Sequence, residues 1–346
     1  MNQIQMCGID FIEFASPDFK SLENLFLAFG FSKVAHNQNK SIDYFKQNDI
    51  HFFLNSQSGS FSNDFSHKHG PCISSMGWRF KNPTTAYELA IAKGAKPAQG
   101  DYKDQNGHPL PAIFGIGESL IYFVPEDISQ NLYQQLEFKP LQSPILNKSK
   151  GFLAIDHLTN NVENGTMKVW ADFYKKIFGF TEVRYFDIRG AQTGLTSYAL
   201  KSPCGSFCIP INEAKENKSQ INEYLQEYKG PGVQHLAFLT DNIIDSLEAL
   251  KGSPIQTLDI DSEYYSDIFN KFPHVTEDQK KIQDFQILVD GDNEGYLLQI
   301  FTKNIIGPIF IEIIQRKNHY SFGEGNFGAL FRSIERDQMK RGYLNS

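Results

Sequence analysis

The chain has 346 residues, 40% hydrophobic and 21% charged, a size for two domains and the composition of a soluble globular protein. Its 33 Lys and Arg against 40 Asp and Glu leave a net charge of -7 with no dense basic run, which argues against nucleic acid and anionic membrane as partners. No apolar run approaches a membrane span, and Met1–Met6 lack the basic and apolar regions of a secretory signal, so a cytoplasmic location is expected.

The first strand-like segment contains Gly8-Ile9-Asp10-Phe11-Ile12. Leu22, Leu25, Phe26 and Phe29 then share one face of a helix, and Gly30 stands where a left-handed helix end favours glycine. A β-rich run follows from Phe31 to Phe53. His67-Lys68-His69 could bind a metal adventitiously, but no third ligand accompanies it. Gly70-Pro71-Cys72-Ile73 leads into a further strand, and Leu120-Ile121-Tyr122-Phe123-Val124 is the last strand-like segment of this half. The polar, Pro-containing stretch Gln142–Lys150 predicts a boundary, giving domains 1–142 and 143–346.

The pattern then repeats. Ala154-Ile155-Asp156-His157-Leu158 matches the opening strand at an offset of 146, and Phe178-Gly179-Phe180 matches Phe29-Gly30-Phe31 at 149. Between them Val169, Phe173 and Ile177 recur at helical spacing and are expected to face inward. A second β-rich run spans Phe180 to Ile211, and Gly230-Pro231-Gly232-Val233 echoes Gly70-Pro71-Cys72-Ile73. Asp241 is expected to start a short helix with Ile244, Leu247 and Leu250 inward. A last helix follows Asn326, read as its N-cap, with Phe327, Leu330, Phe331 and Ile334 on one face and Gly342 as its stop. Each half looks internally doubled. The predicted class is α+β: repeated βαβββ units forming two domains, each a curved sheet around a cavity. Cys7, Cys72, Cys204 and Cys208 are read as free thiols.

Of nine histidines, His36, His51, His108, His274 and His319 lie among polar or turn residues and are read as surface groups. His157 and His235 differ, because each lies within an apolar strand-like run that opens one unit of the second half. A core histidine is the bland alternative for either alone. Glu312 stands in the middle of Phe310-Ile311-Glu312-Ile313-Ile314, where an unpaired carboxylate costs several kcal/mol. Arg316 is the nearest cation in sequence, but four strand residues span roughly 13 Å, so a bound metal is the better partner. Two imidazoles and one carboxylate with three open positions mark the non-haem Fe(II) oxygenases, with zinc as the structural alternative.

At this point the chain resembles the 4-hydroxyphenylpyruvate dioxygenase family of the vicinal-oxygen-chelate group. The carrying motifs are Asp156-His157, Ile209-Pro210-Ile211-Asn212-Glu213, Gly232-Val233-Gln234-His235, Leu298-Gln299-Ile300-Phe301-Thr302, Phe310 to Arg316, and Gly323-Glu324-Gly325-Asn326-Phe327. The resemblance implies one Fe(II) per chain on His157, His235 and Glu312, with 4-hydroxyphenylpyruvate and O2 as substrates. It places Ser197, Asn212, Gln220, Gln234, Gln299, Phe301, Phe310, Asn326 and Phe327 in the substrate pocket. For Gln234 that role rests on resemblance alone, since a residue adjacent to His235 points away in a regular strand. The first half resembles the family's non-catalytic domain, with Phe11 in the place of His157 and Ser75 in that of His235. A homo-oligomer, dimer or tetramer, is expected, with no nucleic-acid or membrane partner.

Three rival functions share the scaffold. A hydroxymandelate synthase hydroxylates the benzylic carbon of the same substrate, an extradiol dioxygenase cleaves a catechol, and a binding protein takes up iron without O2 uptake. The two glycines ahead of the last helix also suggest a lid hinged near residue 323.

Overall fold

The computed structural model describes residues 4–103, 107–126, 131–189, 193–216 and 218–344, so the first three residues of the chain start lie outside it. The first sheet holds β1 (Met6–Ala15), β2 (Ser32–Asn37), β3 (Ile42–Gln47), β4 (Ile50–Asn55), β5 (Cys72–Phe80), β6 (Pro97–Ala98), β7 (Ala112–Phe114), β8 (Leu120–Pro125) and β9 (Phe138–Ile145). The second holds β10 (Phe152–Val162), β11 (Thr181–Arg189), β12 (Gly194–Lys201), β13 (Cys208–Ala214), β14 (Gly232–Thr240), β15 (Leu288–Gly291), β16 (Tyr296–Phe301) and β17 (Phe310–Lys317).

Their orders are β6-β7-β8-β5-β1-β4-β3-β2-β9 and β11-β12-β13-β10-β14-β17-β16-β15. Read in opposite directions they coincide strand for strand, apart from β9 at the first sheet's edge. Each half is a curled sheet of two βαβββ units, as the internal repeat predicts. β9 runs to Ile145, which pairs with Lys33, so the first sheet extends past the expected boundary at 142. Pro144 makes that stretch look like a linker in sequence; an edge strand tolerates it, and Pro140 as well, because one row of its N–H groups needs no partner.

The halves share an apolar seam. Trp78 of the first lies against Tyr174, Phe178, Phe180 and Phe207 of the second. This docking sets the inward face of the helix Met167–Phe178, which buries Met167, Ala171, Tyr174, Ile177 and Phe178. Val169, expected inward, is 65% exposed, because the larger aromatic stripe took the seam. Asn242 rather than Asp241 caps the helix Ile243–Leu250, its Oδ1 accepting from the Asp245 N–H at 3.1 Å. His51 is buried rather than at the surface, its Nδ1 held 2.6 Å from the Tyr44 hydroxyl. No described helix is long and apolar enough to cross a membrane.

Candidate metal centre and active-site cavity

β10, β14 and β17 lie side by side in the centre of the second sheet. His157 pairs with Ala237, and Ala237 with Glu312, so His157 and Glu312 stand in one row across the strands. His235 stands one row away, opposite Thr159 and Phe310. All three groups are buried, with ligand atoms within 4.8 Å of one another. The Glu312 Oε2 lies 3.1 Å from His157 Nε2 and 3.4 Å from His235 Nε2.

Two β-bulges prepare these imidazoles. Ile155 pairs with Phe238 and His157 with Ala237, leaving Asp156 as an extra residue on β10. Thr159 pairs with His235 and Asn160 with Val233, leaving Gln234 extra on β14. A bulge breaks the alternation of side chains, so each extra residue reaches its histidine instead of pointing away. Asp156 Oδ2 sits 2.7 Å from His157 Nδ1, and Gln234 Oε1 sits 3.2 Å from His235 Nδ1. With each Nδ1 turned to an oxygen, both Nε2 atoms face Glu312, where a metal ion would take the place of any proton between them. The bulge explains why Gln234 joins the site against the regular-strand expectation.

The electrostatics agree. Burial works against an ionised Glu312, but the two imidazoles outweigh it and hold its carboxyl down at about 2. Burial also opposes charge on His157, yet the Glu312 and Asp156 carboxylates push it up to about 9. His235 is lowered by burial, only partly offset by Glu312. An ionised carboxylate buried between two nitrogens is a place that a cation completes. Arg316 does not supply that cation: its guanidinium turns to Asp156, at 2.7 and 2.8 Å.

The three groups open into a cavity. Ser197, Asn212, Gln220, Gln234, Gln299, Phe301, Phe310 and Phe327, all expected from the sequence, line it. Asn326 does not. It stands behind the wall, its Nδ2 donating to Gln299 Oε1 at 3.0 Å while its Oδ1 accepts from the Tyr264 hydroxyl at 2.6 Å. That amide is committed to the wall, and so it makes no side-chain cap for the helix Phe327–Lys340. Gln299 in turn donates to Glu312 Oε1 at 3.2 Å. A second amide series runs from Asn212 to Gln234 and from Gln234 to Gln220, each at 3.4 Å.

Phe186, Ile188, Leu195 and Phe322 also line the cavity, and sequence reasoning missed them. For three of them a signal was present: Phe186 and Ile188 alternate on β11, and Leu195 alternates with Ser197 on β12. The last helix roofs the cavity through Phe327, Leu330, Phe331 and Ile334. Phe310 stacks on the His235 ring at 4.7 Å, and Phe327 meets Phe186 edge-on at 5.2 Å. His69 is buried with Nδ1 2.6 Å from the Tyr228 carbonyl, and no metal-ligand group forms around His67-Lys68-His69 among the described residues.

Comparison with known proteins agrees with this geometry. Residues 1–138 match the family model "Hydroxyphenylpyruvate dioxygenase, HPPD, N-terminal", and 154–270 match the Glyoxalase/Bleomycin resistance protein/Dioxygenase superfamily. The chain is 59% identical to Protein MelA of Shewanella colwelliana, over 99% of both chains. It is 44% identical to the 4-hydroxyphenylpyruvate dioxygenase of Legionella pneumophila, over 98% of this chain and 97% of that one. Among solved structures, a variant of 4-hydroxymandelate synthase from Streptomyces coelicolor shares the fold, with a TM-score of 0.84 over 96% of this chain and 99% of that one at 21% identity. With full-length relatives this similar, the chain belongs to the 4-hydroxyphenylpyruvate dioxygenase family.

Proposed function

We propose that this chain is an Fe(II)-dependent dioxygenase that converts 4-hydroxyphenylpyruvate and O2 to homogentisate and CO2. The observation that carries the reading is the convergence of His157, His235 and Glu312 on one point in the wall of a cavity lined by phenylalanines and amides. The donor set fits ferrous iron: two neutral nitrogens and one oxygen on one side, with room for substrate on the other. Iron bound there supplies the redox chemistry that dioxygen needs and that zinc lacks.

The protein's own contribution is binding, orientation and exclusion of water. No described lining residue is Lys or Arg, so a metal held by the three groups would be the main counter-charge for the negative end of an α-keto acid. That end is thereby directed to the three ligands. Phe310 and Phe327 offer faces for the aromatic ring, while the Asn212, Gln234, Gln220 and Gln299 amides offer donors and acceptors for its phenol and carboxylate. The helix Phe327–Lys340 closes the cavity as a lid, keeping water and stray reductants from the reacting centre. Family membership supports a cytoplasmic homo-oligomer acting in tyrosine catabolism as part of the same reading.

Oxygen uptake with 4-hydroxyphenylpyruvate after anaerobic Fe(II) loading tests the proposal, with the product identified by mass and NMR. Homogentisate in step with O2 consumed supports it. Hydroxymandelate as the product would replace it with the synthase reading, and iron uptake without O2 consumption would replace it with the binding-protein reading.

A further inference from the structure

Arg316 lies next to the end of the strand that carries Glu312 and reaches in two directions. Toward the sheet, its Nε and Nη2 donate to the two Asp156 carboxylate oxygens at 2.7 and 2.8 Å, and Asp156 holds the His157 Nδ1 at 2.7 Å. Toward the lid, its Nη1 donates to the backbone carbonyls of His319 and Ser321 at 3.1 and 2.6 Å. Those carbonyls lie in the segment joining β17 to the last helix. A planar guanidinium suits both tasks at once, since its fork meets a carboxylate while the outer N–H groups remain free for a second partner.

The same segment meets the metal ligands again a few residues on. Phe322 sets its ring 5.7 Å from that of His157. Gly323, at a φ of +78°, lies so close to Gln299 that an added Cβ would stand 1.7 Å from its Oε1. Gln299 is the residue that donates to Glu312. Residues 319–323 therefore reach two of the three metal-binding groups just ahead of the lid: His157 through the Phe322 ring and through Arg316 and Asp156, and Glu312 through Gln299.

We propose that Arg316 is a positioning residue that couples the metal centre to the lid. A metal that fixes His157 and Glu312 also fixes Asp156 and Gln299, and through Arg316 it orders the joining segment. By linkage, an ordered lid tightens metal binding by the same factor. The inference rests on the metal reading above, and the test separates the two. Hydrogen exchange of residues 318–340 is followed in the full chain with and without saturating Co(II), while Co(II) affinity is titrated separately. In the wild type, Co(II) slows exchange across 318–340 by about tenfold or more. In Arg316→Gln, affinity falls by roughly 10- to 100-fold, and at saturating Co(II) the slowing is lost. Should that variant fail to fold, Arg316→Lys carries the test: it keeps a charge for Asp156 but has no fork to reach both carbonyls, so it binds Co(II) without slowing the segment. Slowing that persists in the variant at saturation, or a wild type that binds Co(II) with unchanged exchange, overturns the coupling and leaves the metal site standing. A wild type that binds no Co(II) overturns the metal reading itself, and the coupling with it.

Discussion

The two halves carry the same scaffold to opposite ends. In the second, His157, Ala237 and Glu312 stand in one row; in the first, the same row reads Phe11, Gly77 and Tyr122. One row away, Thr159, His235 and Phe310 correspond to Glu13, Ser75 and Leu120. Even the bulges recur, at Asp10 and Ser74 in the places of Asp156 and Gln234. What differs is the filling. Phe11 stacks on Phe53 at 4.4 Å and packs against Tyr102 and Tyr122, and a Cβ on Gly77 would lie 2.3 Å from its ring. Aromatic rings occupy the first hollow, whereas the second is left open around His157, His235 and Glu312, a group that could hold a metal ion. A curled sheet with bulges beside its central strands is therefore a frame, and the side chains in two rows decide whether it becomes a core or an active site.

The sharpest way to break this contrast is to make the second half resemble the first. His157→Ala, His235→Ala and Glu312→Ala should each give a folded chain whose bound iron falls to roughly a tenth or less and whose turnover is lost. Metal analysis and oxygen uptake check this, and near-normal activity in any one variant removes that residue from the site. Opening the roof is the next largest change. A chain ending after Gly323 keeps the carbonyls that Arg316 holds, so it should still bind Fe(II) yet lose most productive turnover. Phe327→Ala should act more mildly, raising KM or letting O2 uptake outrun product, by about 1 kcal/mol beyond lost area. Full-rate homogentisate formation by the shortened chain would show that the last helix is no lid.

The first half has a titrating group of its own. Glu13 is buried and accepts from Asn55 at 2.7 Å and Tyr102 at 2.8 Å. Burial, helped by the nearby Asp101 charge, pushes its carboxyl up to about 7 from an ordinary 4.5. The folded chain thus holds this proton more tightly than the unfolded one. Its stabilising effect is complete below pH 4.5 and is lost as pH rises toward and through 7. Glu13→Gln should flatten that loss, gaining up to about 3 kcal/mol relative to the wild type by pH 8. Urea unfolding of both chains between pH 5 and 8 checks it; a stability difference independent of pH contradicts it. The smallest expected effect is at His67, which is exposed. His67→Ala should leave iron content and turnover unchanged, and a drop of about half in bound iron would reveal a second metal site.

The sequence made much of this contrast legible, for physical reasons. A histidine or glutamate inside an apolar strand is costly enough to stand out, and the repeat showed which strands correspond, so Phe11 and Ser75 were readable as missing ligands. Register was not readable. Nothing in the order of residues marks Asp156 and Gln234 as extra on their strands, so the reach of Gln234 into the site was invisible to an alternation argument. Long-range choices were hidden for the same reason. Sequence distance sets Arg316 only against Glu312, but the side chain turns across the sheet to Asp156. Local sequence makes Asn326 a cap, but its amide serves Gln299 and Tyr264 from elsewhere in the fold. Val169 fitted a helical period yet lost the buried face to the aromatic residues that dock on Trp78.

One measurement bears most directly on the claim that a single half holds the chemistry: an anomalous diffraction map at the iron edge from crystals loaded anaerobically with Fe(II). One peak per chain is expected, about 2.0–2.2 Å from the Nε2 atoms of His157 and His235 and from a Glu312 oxygen. A peak in the first half, or none between those three residues, would contradict it.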